Sequence, residues 1–214
     1  VGNWYKIELP GQGSGYIADS LVIVMGNNRN EHTIKNKTIV IDAGHGGKDS
    51  GTIGKNGIME KTLTLQTAQL LQNKLQKAGA NVILTRTTDT YLSLPERVQI
   101  AHRYHADAFI SIHYDSSPNW FASGMTIYYY DSLADYPLAL SFDALFSKIT
   151  LIPYRGIRFG DFHVIRETNL PSVLFELGYV SNPLEVNIIT SYEYQQQITE
   201  AIFNGLNNYF ESSN

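Results

Sequence analysis

Cysteine is missing from this chain altogether. Disulfides and thiolate metal ligands are therefore excluded, and any metal site must be assembled from histidines and carboxylates. Missing too is any apolar run approaching the ~20 residues that a membrane-spanning helix needs, and no cleavable signal pattern is visible. Nor is positive charge in excess: 16 Lys and Arg stand against 20 Asp and Glu, for a net charge of −4 and an isoelectric point near 5.8. Such a chain offers no basic field to a phosphate backbone, so nucleic acid is not an expected partner. Internal repeats and low-complexity segments are absent as well. What remains is a globular composition, 43% apolar and 17% charged over 214 residues. That is enough for one domain of ordinary size with a buried core, plus a small appendage. The chain begins at Val1 rather than Met, and the expectation is a processed form with any signal or membrane anchor lying upstream.

The stretch Ile39-Val40-Ile41-Asp42-Ala43-Gly44-His45-Gly46-Gly47 organises the rest. Its β-branched apolar residues predict a strand buried on both faces. Glycines on either side of His45 let the backbone turn sharply and leave the imidazole beyond the strand's end, which is where open α/β sheets bind ligands. From Lys37 onward strand and helix patterns alternate. They predict an α/β domain built on a single twisted, mostly parallel sheet with helices on both faces. A helix is expected from Glu60 to Ala78, stopped by Gly79, and a strand from Asn81 to Thr85. Ser93-Leu94-Pro95-Glu96 is a capping box opening a helix that runs to about His105. Ala108–Ile112 reads as a strand ending on His113, Met125–Tyr130 as another, and Leu138–Ile149 as a helix. Phe162-His163-Val164-Ile165 alternates like a strand with His163 on its wet side. Ser172–Phe175 reads as a strand ending on Glu176. Thr190-Ser191-Tyr192-Glu193 is a second capping box, opening a helix that turns Ile198, Ile202, Leu206 and Tyr209 inward.

Residues 1–25 read differently. Trp4–Leu9 alternates like a strand, 10–15 is a turn cluster, and Tyr16-Ile17 and Leu21–Val24 suggest two more short strands. Three short strands are too few for a stable module. The pattern Gly2-Asn3-Trp4-Tyr5-Lys6-Ile7 followed by Gly15-Tyr16-Ile17 resembles the back half of a bacterial SH3-like domain, without its front half. Residues 26–36 read as a linker and 37–214 as the main domain.

Placed on that scaffold, His45, His113 and Glu176 each follow an apolar strand, and Glu60 opens a helix just after the His45 loop. If the strands are parallel neighbours, these side chains meet at one edge of the sheet. Two imidazoles and a carboxylate make a catalytic zinc set, with the fourth position open to water. Each residue alone has a plainer explanation. A carboxylate at a helix start complements the dipole, whereas one embedded in a buried strand, like Glu176, is rare unless paired. His102 and His105, spaced i and i+3, read as a solvated helix face, and His32 belongs to the linker. Asp42 and Asp49 flank the His45 loop and are candidates to orient a ligand imidazole.

Taken together, five stretches resemble the zinc-dependent N-acetylmuramoyl-L-alanine amidases of bacterial cell walls. They are Ile41–Gly47; Gly57-Ile58-Met59-Glu60-Lys61; Leu84-Thr85-Arg86 with Leu94-Pro95-Glu96-Arg97; Ser111-Ile112-His113; and Leu170–Asn182, spread in order over Thr38 to Phe210. The resemblance implies zinc held by His45, Glu60 and His113, with Glu176 as the catalytic glutamate. It implies peptidoglycan as substrate, cut between the lactyl group of N-acetylmuramic acid and L-alanine, and action at the cell wall or the outer face of the cytoplasmic membrane. It leaves room for a membrane anchor upstream and for a protein activator. Arg166, just before the Glu167-Thr168-Asn169 turn, is a candidate to bind a stem-peptide carboxylate. Two departures stand out. Tyr114-Asp115-Ser116-Ser117 follows His113 where the family has small or amide residues, which bears on substrate fit. The stretch 131–155 is too short for both a packing helix and the plug helix of some members, so an open cleft is expected. A zinc peptidase or deacetylase acting on the same polymer, or a wall-binding module without catalysis, are the alternatives; the intact set of four residues counts against the last.

Overall fold

The structure is a computed structural model and describes residues 4–9, 13–18 and 33–212. The chain divides into two units, 1–31 and 32–214. In the first, β1 (Trp4–Leu9) and β2 (Gly13–Ala18) form an antiparallel hairpin in which Leu9 faces Gly13 and Trp4 faces Ala18. The expected strand at Leu21–Val24 and most of the expected linker lie outside the described residues.

The second unit runs β3 (Thr38–Ala43), α1 (Glu60–Lys77), β4 (Asn81–Leu84), α2 (Leu94–Arg103), β5 (Ala108–Asp115), β6 (Met125–Tyr129), α3 (Tyr136–Phe146), β7 (Tyr154–Phe159), α4 (His163–Arg166), β8 (Ser172–Tyr179), α5 (Glu185–Ile189) and α6 (Tyr192–Ser212). Its six-stranded sheet has the order β4-β3-β5-β8-β6-β7. The first four of these strands are mutually parallel, β6 is antiparallel to β8, and β7 runs parallel to β6. This is the expected mostly parallel sheet. No helix among the described residues is long and apolar enough to cross a membrane.

Because side chains alternate across a strand, each strand feeds two cores. Ile39, Ile41 and Ala43 of β3 face the larger one, with Leu71 and Leu75 of α1, Phe142 and Phe146 of α3, and Ile198 and Ile202 of α6. There Phe146 stacks on Phe175 of β8 at 5.2 Å. On the opposite face Val40, Phe109 and Leu174 pack with Ala101 of α2 and Val164 and Ile165 of α4. Two residues further along the same strands, on that face, come Asp42, Ser111 and Glu176, with His113 following Ser111. The period of two therefore carries the polar stripe to the carboxyl ends of β3, β5 and β8.

Several local expectations are corrected. β5 and β8 run past His113 and Glu176 to Asp115 and Tyr179, so both residues sit within paired strands, directly opposite each other in the register. His163 opens the short helix α4 instead of lying on a strand. The capping box at Ser93 forms, Glu96 Oε2 accepting the Ser93 N–H at 2.7 Å. The one at Thr190 does not: its hydroxyl donates to Val186 O at the end of α5 (2.8 Å), and Ser191 Oγ accepts the Tyr194 N–H instead.

Candidate metal centre and active site

Three donor atoms converge where β3, α1 and β5 meet. Glu60 Oε1 lies 3.0 Å from His45 Nε2 and 3.1 Å from His113 Nδ1, and the ligand atoms of the three residues all lie within 4.8 Å of one another. Each is held by its own local chemistry. His45 follows β3 in the left-handed region, at φ 60°, a costly conformation for a residue with a β-carbon. Its outer nitrogen, Nδ1, is hydrogen-bonded to Asp49 Oδ2 at 2.9 Å, so Nε2 is the atom turned to the centre. Asp49 thus performs the orienting role expected of it, whereas Asp42 does not touch an imidazole. Glu60 is the first residue of α1 and is 4% exposed. Its carboxylate is fixed from both sides, Oε2 by the Thr52 N–H (3.0 Å) and Oε1 by the Tyr114 N–H (3.1 Å). The glycines act mainly by leaving space. A β-carbon on Gly44 would sit 2.3 Å from the His113 ring, and one on Gly51 would sit 2.6 Å from Glu60 Oε2.

The electrostatics follow from this crowding. Burial works against charge on Glu60, but the hydrogen bonds from His113 and then His45 outweigh it and hold the carboxyl well below its usual range. Burial likewise disfavours the His45 cation, yet Glu60 and Asp49 raise its pKa. Glu176 is the opposite case. Burial, and after it the charges of Glu60 and Asp115, push its pKa well above the carboxylate norm. Its Oε2 is shielded from solvent and has no hydrogen-bond partner. An orphaned carboxylate oxygen beside a donor set of two imidazoles and a carboxylate fits a metal ion and the molecule it would act upon.

A cavity of about 560 Å³ opens over the centre, lined by His45, Glu60, His113, Asp115, His163 and Glu176 among others. No residue of 131–155 lines it, in keeping with the expected open cleft. In the departure after His113, Tyr114 borders the cleft and holds Glu60 Oε1 through its N–H, but its side chain turns away from it. Its ring points into the larger core, where its hydroxyl meets Thr67 Oγ1 and Gln195 Nε2, each at 2.7 Å. Only Asp115 and Ser116 of that departure face the cavity with their side chains free of the core. Arg166 is not brought to the site. Its guanidinium pairs with Asp161 and Glu167 on the outside of α4, and it does not line the cavity. His163, in contrast, does line it, and the short helix that places it there leaves no periodic signal in the sequence. His102 is exposed as expected, with Nε2 2.6 Å from Thr168 O.

The sequence profile of N-acetylmuramoyl-L-alanine amidases matches residues 39–208. The chain is 45% identical over 222 aligned residues to YrvJ of Bacillus subtilis (strain 168), a protein named for that same activity. The match covers 98% of this chain but 43% of YrvJ, so the chain spans less than half of that relative. It is 40% identical to LytH of Staphylococcus aureus, named as a cell wall amidase, over 99% of this chain and 73% of LytH. Among solved structures it is similar to the catalytic domain of CwlV, an N-acetylmuramoyl-L-alanine amidase from Bacillus (Paenibacillus) polymyxa var. colistinus. There the TM-score is 0.79 at 40% identity, covering 82% of this chain and 98% of the other. With the match spanning all of the sheet but its first residue, and every residue of the centre just described, the chain belongs to the N-acetylmuramoyl-L-alanine amidase family.

Proposed function

We propose that this chain is a zinc-dependent hydrolase of peptidoglycan, acting in the wall outside the cytoplasmic membrane. It would cut the amide bond between the lactyl group of N-acetylmuramic acid and the L-alanine of the stem peptide. The observation that carries the reading is the meeting of His45 Nε2, Glu60 Oε1 and His113 Nδ1 beside the unpartnered Oε2 of Glu176. His45, Glu60 and His113 would hold the ion. Zinc when bound supplies Lewis acidity, acidifying water toward a pKa of about 7 and polarising a carbonyl oxygen.

The chain's own residues do the rest. Glu176 sits across the strand pair from His113; a cation held by His45, Glu60 and His113 would favour its carboxylate, the form able to accept a proton. Glu176 takes the proton from the attacking water and passes it to the nitrogen of the departing alanine. The C–O bond forms first; the C–N bond then breaks as the nitrogen takes up that proton, and the Glu176 carboxylate is regenerated. Asp49 keeps the His45 ring in one tautomer throughout. Mass spectrometry of purified peptidoglycan incubated with the protein and zinc, beside Glu176→Ala, tests the reading. Free stem peptides beginning at L-alanine are expected from the wild type and not from the variant, which should still bind zinc. Shortened peptides or deacetylated sugars would instead assign a peptidase or deacetylase.

A further inference from the structure

The segment after β4 carries two arginines that touch none of the reacting groups yet are among its most buried residues: Arg86 is 4% and Arg97 3% exposed. Arg97 has a counter-ion, its Nη1 lying 2.7 Å from Asp42 Oδ1. Among the described residues no carboxylate forms an ion pair with Arg86. The hydrogen bonds it makes all run to oxygens of neutral groups. Nε donates to Ala43 O (2.9 Å) and Nη1 to Thr88 O (3.1 Å), while Nη2 reaches Gly44 O (2.9 Å), Lys61 O (2.7 Å) and Thr64 Oγ1 (3.0 Å). A buried cation without a contacting counter-charge is costly, and the identity of its acceptors indicates what the arrangement achieves. Gly44 immediately precedes His45, and Lys61 immediately follows Glu60. One planar fork thus ties together the backbones that carry two of the three metal-binding side chains.

Arg97 completes the arrangement from the other side, donating to Ala43 O (2.8 Å) and His45 O (2.7 Å). The carbonyls of residues 43, 44 and 45 are therefore all turned onto guanidinium groups, at the turn where His45 adopts its left-handed backbone. The loop closes directly on the brace: a β-carbon on Gly46 would lie 2.9 Å from Arg86 Cδ. We infer that Arg86 is a positioning residue of the metal centre, fixing the spacing of His45 and Glu60 by bridging the Gly44 and Lys61 carbonyls, with Arg97 holding the His45 turn. This inference rests on the metal reading of the site. A lysine at position 86 would keep the charge but, as a point donor, could not span both carbonyls.

The test is metal binding by the whole chain stripped of metal. Zinc affinity is read by competition with a chromophoric chelator, and cobalt(II) is added separately for its d–d absorption. Arg86→Lys is compared with Leu75→Ala, a truncation in the larger core at the far end of α1 from Glu60. Arg86→Lys should weaken zinc ~10–100-fold and alter the cobalt spectrum, whereas Leu75→Ala should lower the melting temperature and leave both readouts at wild-type values. Thr64→Val loosens the same bridge without removing a buried charge, since Thr64 Oγ1 also donates to Gly44 O at 2.8 Å. It should give a smaller loss in the same direction, and it serves if Arg86→Lys does not fold. Unchanged zinc affinity and cobalt spectra in the folded variants would overturn the brace while leaving the metal reading intact. A wild-type protein that took up no zinc would overturn both.

Discussion

Glu176→Gln should separate catalysis from stability in opposite directions. The wild-type carboxyl is pressed by burial and by the charges of Glu60 and Asp115, and its Oε2 has no partner. Its folded-state pKa therefore lies above the value of ~4.3 that a glutamate has in the unfolded chain. The sign follows from linkage. Below the unfolded value the group is neutral in both states and its full contribution to stability is present; that contribution is lost as pH rises through the folded value. Between those two values the loss is ~1.4 kcal/mol per pH unit, or roughly 3–5 °C of melting temperature per unit for a domain of this size. Above the folded value the loss is constant. Glutamine does not titrate, so metal-free Glu176→Gln should gain on the wild type steadily from about pH 4.3 upward and then hold a plateau. Any fixed packing difference only shifts the whole curve. Scanning calorimetry of chelator-treated protein at several pH values from 4 to 8 reads this directly. On zinc-loaded protein the same variant should lose ~10²–10⁴-fold in turnover, the usual contribution of a general base. A stability difference that stays flat with pH, or that shrinks toward pH 8, would falsify the account of a strained, unpartnered carboxylate.

Three further outcomes are expected. Asp49→Ala removes the partner of His45 Nδ1 and should weaken zinc ~10–100-fold in a chelator competition, with little change in the far-ultraviolet circular dichroism. Gly44→Ala drives a β-carbon to 2.3 Å from the His113 ring; the ring must move, and bound zinc measured by atomic absorption should fall well below one per chain. Arg166→Ala should leave KM for peptidoglycan and the melting temperature at wild-type values, because its guanidinium is spent on Asp161 and Glu167 outside the cavity. A raised KM with kcat intact would restore a role in holding the stem peptide.

The parallel sheet was legible because its central strands are nearly continuous apolar runs, as strands covered on both faces must be. Of the four residues proposed for the chemistry, His45, His113 and Glu176 were legible because each interrupts or ends such a run, and Glu60 because it opens a helix just after the His45 loop. What escaped was whatever lacks a period or acts through the backbone. β7 is an edge strand in which Arg155, Arg158 and Phe159 are exposed, so it shows no apolar alternation, and α4 is too short for a helical one. The cap of the last helix shifted from Thr190 to Ser191 because a hydroxyl near a helix end can serve either the helix that finishes or the one that starts. Arg86 and Arg97 escaped for another reason: a guanidinium bound to main-chain carbonyls leaves no complementary residue in the sequence to pair it with.

Tyr114 differs from these, since its orientation was there to be read. In β5 the alternation puts Ile110, Ile112 and Tyr114 on one face and Ser111, His113 and Asp115 on the other. Granting His113 to the cleft therefore commits Tyr114 to the core. The substitution that seemed to bear on substrate fit is a core residue, satisfied by Thr67 and Gln195. Asp115, on the His113 face, is the part of that departure whose charge reaches Glu176. A departure from a family pattern gains chemical meaning only once the strand's period has said which way each changed side chain points.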